Sequence, residues 1–200
     1  MRLRLDGRLQ SCRELVRTWR SPKRTALRVA SDRLAPPPRA FARFGDGAWV
    51  VPPVRIEGAG AIEVGDSVIV LEDSGLLVDA ANGARLVLGD RCRLAKGVEI
   101  ICRRQVTLGP GVSTSDYVTI TDSWAGLTAP PGVEPPTAAP VLVEAGAYLG
   151  WGCVVGPGVT VGAGAFVGEG AVVLDDVSPG SIVYGNPAHA APGYAGRPSS

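Results

Sequence analysis

Aliphatic residues recur at every sixth position over much of the chain. From Val143 the leading positions are Val143, Leu149, Val155, Val161, Val167 and Val173. Four places after each lead stands a small residue: Ala147, Cys153, Val159, Ala165, Ala171 and Val177. Gly or an acid usually follows the lead. The same period runs upstream through Val64, Val70, Leu76, Asn82, Leu88, Leu94 and Ile100, slips by two, and resumes at Leu108, Thr114 and Ile120. Asn82 and Thr114 are imperfect members of the series. About sixteen such hexads fit between residues 64 and 178, and a fixed short period marks a solenoid.

Each unit supplies one short strand and one turn. The lead points inward, the small residue fits where the interior narrows, and Gly, Asp or Asn meets the dihedral demands of the turn. Three units close one triangular coil. Coils stack at about 4.8 Å, so about five of them make a prism about 25 Å tall. No coil buries its aliphatic row alone, so stability comes from stacking. The class expected is all-β: a parallel β-helix with one protruding loop and a short helical N-terminal segment. An ordinary β-sandwich of short strands is the weaker alternative.

The period breaks once. Residues 121–140 are rich in Pro, which makes a semi-rigid loop. The charge-free stretch 145–168 is long enough to pass for a membrane span. It carries Gly at alternating spacings of four and two, with Pro157 in the middle, which suits a solenoid and not a lipid-facing helix.

Composition adds an asymmetry. Residues 1–43 hold twelve Arg or Lys and three Asp or Glu, whereas 44–200 hold eight and sixteen. The division expected is a basic, partly helical segment at 1–43, a β-helix domain at 44–191 and a frayed tail at 192–200. In the segment, Leu9, Cys12, Leu15, Val16 and Trp19 share one helical face opposite Arg residues, and Pro22 ends the pattern. Capping the open first coil is its first reading. Attachment to an anionic membrane surface or an acidic partner is the second. No recognised nucleic-acid motif accompanies the charge.

The four Cys lie far apart, which fits free thiols in a reducing, cytoplasmic setting. Cys92 and Cys153 occupy small-residue places in their hexads; Cys102 is the one candidate for a reactive thiol. A single His excludes a multi-histidine metal site, and no metal is expected. No uninterrupted apolar segment follows the basic N-terminus, so a secretory signal is not expected.

Three motifs carry a resemblance. They are "PPVRIEGAGAIEVGD" at 52–66, "PVLVEAGAYLGWGCVVGPGVTVGAGAFVGEGAVVLDDV" at 140–177 and "GSIVYGNPAHA" at 180–190. The chain resembles the hexapeptide-repeat acyltransferases, in particular the maltose/galactoside O-acetyltransferase-like and polysaccharide O-acetyltransferase branch, over roughly Phe44 to Ala191. The resemblance implies a left-handed β-helix, a homotrimer, and transfer of an acyl group, an acetyl group above all, from acyl-CoA to a hydroxyl of a sugar or glycan. It implies an active site between subunits and a donor groove between prisms.

The resemblance also maps residues. The family's catalytic His falls just after a Thr-Asp strand end, which here reads Thr121-Asp122-Ser123-Trp124-Ala125, so Ala125 stands at the position of the base. Asp122, or Glu134 on the loop, is the candidate substitute; for Asp122 the competing role is a turn cap. Tyr117 and Trp124 are candidates for an acceptor pocket. The donor groove maps onto Tyr148, Gly150, Trp151, Gly168, Asn186 and Pro187. The basic residues that face CoA phosphates in the family are replaced by Leu174-Asp175 and by His189. Two functions follow: an acyltransferase with a substitute base, or a catalytically inactive scaffold or partner subunit.

Overall fold

The computed structural model describes residues 38–124 and 138–191. The expected N-terminal helices, Ala125, Glu134 and the tail 192–200 lie outside the described residues. What is described is a parallel β-solenoid. Each coil gives one short strand to each of three sheets, and the sheets hold six, eight and six strands.

The first coil comprises Arg43–Phe44, Trp49–Val50 and Val54–Glu57. Its leads, Phe44, Val50 and Ile56, stand in register over Val64, Val70 and Leu76 of the second coil. Leu88, Leu94 and Ile100 lead the third coil. Leu108, Thr114 and Ile120 lead the fourth. The fifth is led by Val143, Leu149 and Val155, and the sixth by Val161, Val167 and Val173. There are thus six full coils instead of about five. The second sheet then continues through Ile182–Tyr184 and closes antiparallel on His189–Ala190.

One imperfect hexad is corrected and the other stands. Asn82 is exposed in a single 3-10 turn, Ala80–Asn82, and leads no strand. The chain passes from Leu76 to Leu88 by one longer corner, which mimics two hexads because twelve is twice six. Thr114 does occupy its row. It is buried, and its hydroxyl accepts the Ala95 N–H at 3.0 Å.

The rows are dry. Ile100 is fully buried between Leu76 above and Ile120 below. Ile100→Ala leaves a cavity in a stack that cannot collapse without breaking the ladder. The expected loss is about 2–5 kcal/mol, read from urea unfolding.

The alternating Gly spacing has two separate causes. Gly152 takes a left-handed turn conformation, with φ of 60°. At Gly150 a Cβ would lie 2.7 Å from the Val167 carbonyl oxygen of the next coil, so only a bare Cα permits the stacking distance. The acids that follow the leads also have a task. Asp66 Oδ1 accepts the Asp46 N–H, Asp90 Oδ1 accepts the Asp66 N–H, and Glu144 Oε2 accepts the Ala163 N–H. Corner carboxylates satisfy turn donors on the adjacent coil, donors that the β-ladder leaves unpaired.

Candidate functional site

The chain leaves the solenoid at the end of the strand Thr119–Thr121 and rejoins it at Val141–Val143. The Ala139 N–H donates to the Asp122 carbonyl at 2.9 Å, so the two ends of the excursion are tied together. Thr121 and Ser123 are buried beside them, with the Thr121 hydroxyl donating to the Ser123 carbonyl at 2.6 Å.

Asp122 is fully buried. Its Oδ1 accepts the Arg103 N–H, and its Oδ2 accepts the N–H groups of Arg104 and Gln105, each at 2.7 Å. This is the corner-cap device of the other coils with three donors in place of one. The side chain is turned into the wall between the third and fourth coils, and the cap role is the one its geometry supports.

Trp124 and Tyr117 stand at opposite ends of that same strand. Trp124 is half-buried and seated in the notch left by Gly156: a Cβ there would lie 2.9 Å from Trp124 Cζ2 and 3.2 Å from Leu174 Cδ2. It fastens the start of the excursion onto the fifth and sixth coils. Tyr117 lies at the corner between the second and third sheets, half exposed and edge-on to Trp151 of the next coil. The structure therefore pairs Tyr117 with Trp151 and not with Trp124.

The donor-groove candidates gather on the second sheet and that same corner. Tyr148 stacks on Phe166 with ring centroids 5.0 Å apart and planes 18° from parallel. Gly150 and Gly168 sit at the strand ends where coils approach closely; a Cβ on Gly168 would lie 3.1 Å from Tyr184 Cβ. Asn186 and Pro187 are joined by a cis peptide in the closing hairpin. His189 is exposed in that hairpin, its Nδ1 3.0 Å from the Pro187 carbonyl and its ring against Tyr184. It belongs to the eighth and last strand of the second sheet, whereas the excursion leaves from the fourth coil.

A second electrostatic boundary lies within the solenoid. No Lys or Arg occurs between Arg104 and Arg197, although Asp116, Asp122, Glu134, Glu144, Glu169, Asp175 and Asp176 all fall there. The fourth to sixth coils and the closing hairpin thus carry carboxylates and His189 but no Lys or Arg of their own. The cations sit on the upper coils, in pairs such as Lys96–Asp73 and Arg103–Asp79. Arg104 reaches down to the Ala138 carbonyl at the entry to the fifth coil, at 3.4 Å; the phosphates of a CoA molecule lying further along the lower coils would meet no Lys or Arg belonging to those coils.

The three Cys of the described residues, Cys92, Cys102 and Cys153, are core. Cys102, the candidate reactive thiol, is fully buried in register with Val78, and its Sγ donates to the Arg85 carbonyl. Burial pushes the Cys92 thiol up to about 11 and those of Cys102 and Cys153 up to about 12. Raised values mean that the stability these thiols support is complete below about pH 9 and drains away as pH rises toward 11–12. With Cys12 replaced by Ser, the native protein at pH 8 should release no chromophore from Ellman's reagent, and the urea-unfolded protein should release three equivalents. Reaction of the native protein would show that a thiol is reachable without unfolding. Among the described residues no cluster of three or more His, Cys, Asp or Glu could hold a metal ion, and no helix is long and apolar enough to cross a membrane.

Neither a family model nor a curated protein matches the chain. Solved structures do. A point variant of AntD, an N-acyltransferase from Bacillus cereus, in complex with dTDP-4-amino-4,6-dideoxyglucose and coenzyme A, superimposes with a TM-score of 0.67 at 16% identity, over 76% of this chain and 84% of that one. AntD in complex with dTDP and 3-hydroxybutyryl-CoA gives 0.67 at 17% identity, over 76% and 83%. A hexapeptide-repeat-containing acetyltransferase, VCA0836 from Vibrio cholerae O1 biovar eltor, in complex with acetyl coenzyme A, gives 0.51 at 21% identity, over 76% and 71%. The fold expected from the hexads is the fold these acyltransferases share.

Proposed function

We propose that the chain is an acyl-CoA-dependent acyltransferase that acylates a hydroxyl of a sugar or glycan. The observation that carries this reading is the solenoid itself, which follows AntD in complex with coenzyme A across 76% of the chain. The excursion at 121–140, in the place where the resemblance puts the family's active-site loop, supports it. An acetyl group is the transferred unit that the sequence resemblance favours, and a homotrimer the assembly.

In such a transfer the acceptor oxygen forms a bond to the thioester carbonyl carbon, the carbon–sulfur bond breaks, and the hydroxyl proton ends on the departing thiol. A group that takes the proton early lowers the barrier. The His position of the resemblance is Ala125, and Asp122 spends its oxygens on three backbone N–H groups. The chain's own contribution is then binding and orientation, which alone account for large rate factors.

A second reading draws on two specific observations. Ala125 lacks the imidazole, and no Lys or Arg stands between Arg104 and Arg197 to meet the donor's phosphates. On that reading the chain is a catalytically inactive scaffold, or the partner of an active subunit. Calorimetric titration with acetyl-CoA divides the two. Saturable binding supports the transferase. Absence of binding by the natural chain and by its Ala125→His variant removes it.

A further inference from the structure

From the second coil to the sixth, each corner between the second and third sheets holds one residue in the left-handed region. These are Asp73, Gly97, Tyr117, Gly152 and Gly170. Tyrosine is the costly choice, since its Cβ crowds the following carbonyl at φ of 59°. A bulky side chain held at such a φ persists where surrounding structure enforces it, and such positions concentrate at ligand sites. The Tyr117 ring lies against the bare Cα of Gly97, where a Cβ would come within 2.6 Å of Tyr117 Cδ1. On the other side it meets Trp151, with centroids 6.3 Å apart and planes at 77°. Neither ring is covered: Tyr117 is 51% exposed and Trp151 52%.

We propose that Tyr117 and Trp151 form one platform that binds the pyranose ring of a neutral saccharide. Apolar ring faces suit the C–H face of a sugar, and the polar neighbours suit its hydroxyls. The charges at the site disfavour an anionic ligand. The Lys96 ammonium is held by Asp73 at 3.1 Å, the Asp116 carboxylate accepts the Lys96 N–H, and Glu169, beside Trp151 on the adjacent corner, is exposed. An anionic ligand such as a nucleotide would find no unpaired cation and one free carboxylate. That the bound saccharide is the acceptor of the transfer rests on the function proposed above; that it binds does not.

The test uses the full chain without any acyl donor. Hexasaccharides of glucose, N-acetylglucosamine and xylose are titrated by calorimetry against the natural protein and its Tyr117→Gly, Tyr117→Phe and Trp151→Ala variants. At least one saccharide should bind. Tyr117→Gly and Trp151→Ala should weaken that binding at least tenfold, and Tyr117→Phe should retain it. Tyr117→Gly installs the residue other coils use at this corner, so its unfolding midpoint should be kept, which separates lost binding from lost folding. The platform is overturned if no saccharide binds, if the variants bind as well as the natural protein, or if Tyr117→Gly changes the sedimentation coefficient, which would place the ring in a subunit contact. Saccharide binding lost in the variants while acetyl-CoA fails to bind would keep the platform and remove the transferase; the reverse result would do the opposite.

Discussion

Asp122→Ala is expected to lower the unfolding free energy by about 3–5 kcal/mol, the largest single loss anticipated from a polar residue of this chain. The carboxylate is fully buried and holds three backbone N–H groups of the turn at 103–105. Alanine leaves all three donors without an acceptor in a place that water does not reach, and each orphaned donor costs about 1–3 kcal/mol before relaxation. Asn recovers part of this with its carbonyl, but its amide nitrogen faces donors. Asp122→Asn should therefore fall between the natural protein and the alanine variant. Urea unfolding of the three proteins checks the order. A loss below about 1 kcal/mol for Asp122→Ala would show that the turn finds other partners. The same geometry bears on catalysis: any activity lost in Asp122→Asn has to be compared with the fraction folded before it is credited to a missing base.

The second large effect is a gain. If the natural chain transfers acyl groups without a base at the strand end, Ala125→His should raise kcat by about a hundredfold or more, the low end of what general-base catalysis supplies. KM for acetyl-CoA should stay close to that of the natural chain, because the substitution adds nothing to donor binding. The pH profile should change with it. The variant gains a limb near neutrality, where an unperturbed imidazole titrates, and loses rate below it as the ring takes up a proton. Equal turnover by the two proteins at every pH would show that the chain does not use this position for proton transfer.

Much of the fold was legible because stacking writes itself into the sequence. A residue that must lie over its like every coil leaves a period, and Val143 to Val173 kept it without interruption. The places where legibility failed are corners. Asn82 looked like a weak lead because one long corner from Leu76 to Leu88 happens to span two periods. The first coil keeps the period in Phe44, Val50 and Ile56, but a two-residue slip between Ile56 and Val64 hides its continuity with the second. The site was less legible. A sequence shows Asp122 at the right strand end, but not that its oxygens face three N–H groups across a coil boundary. Nor does it show that Tyr117 meets Trp151, thirty-four residues on, since coil stacking alone brings them together. The cation-free span after Arg104 is written in the sequence itself.

The central claim is a transfer from acyl-CoA to a sugar hydroxyl. It is tested most directly by following thiol release from acetyl-CoA, with the purified chain and the three hexasaccharides, against controls lacking either protein or saccharide. The account predicts thiol release that depends on both, with an acetylated saccharide formed in equal amount. Thiol release no faster than in the controls, for the natural chain and for Ala125→His alike, would contradict it.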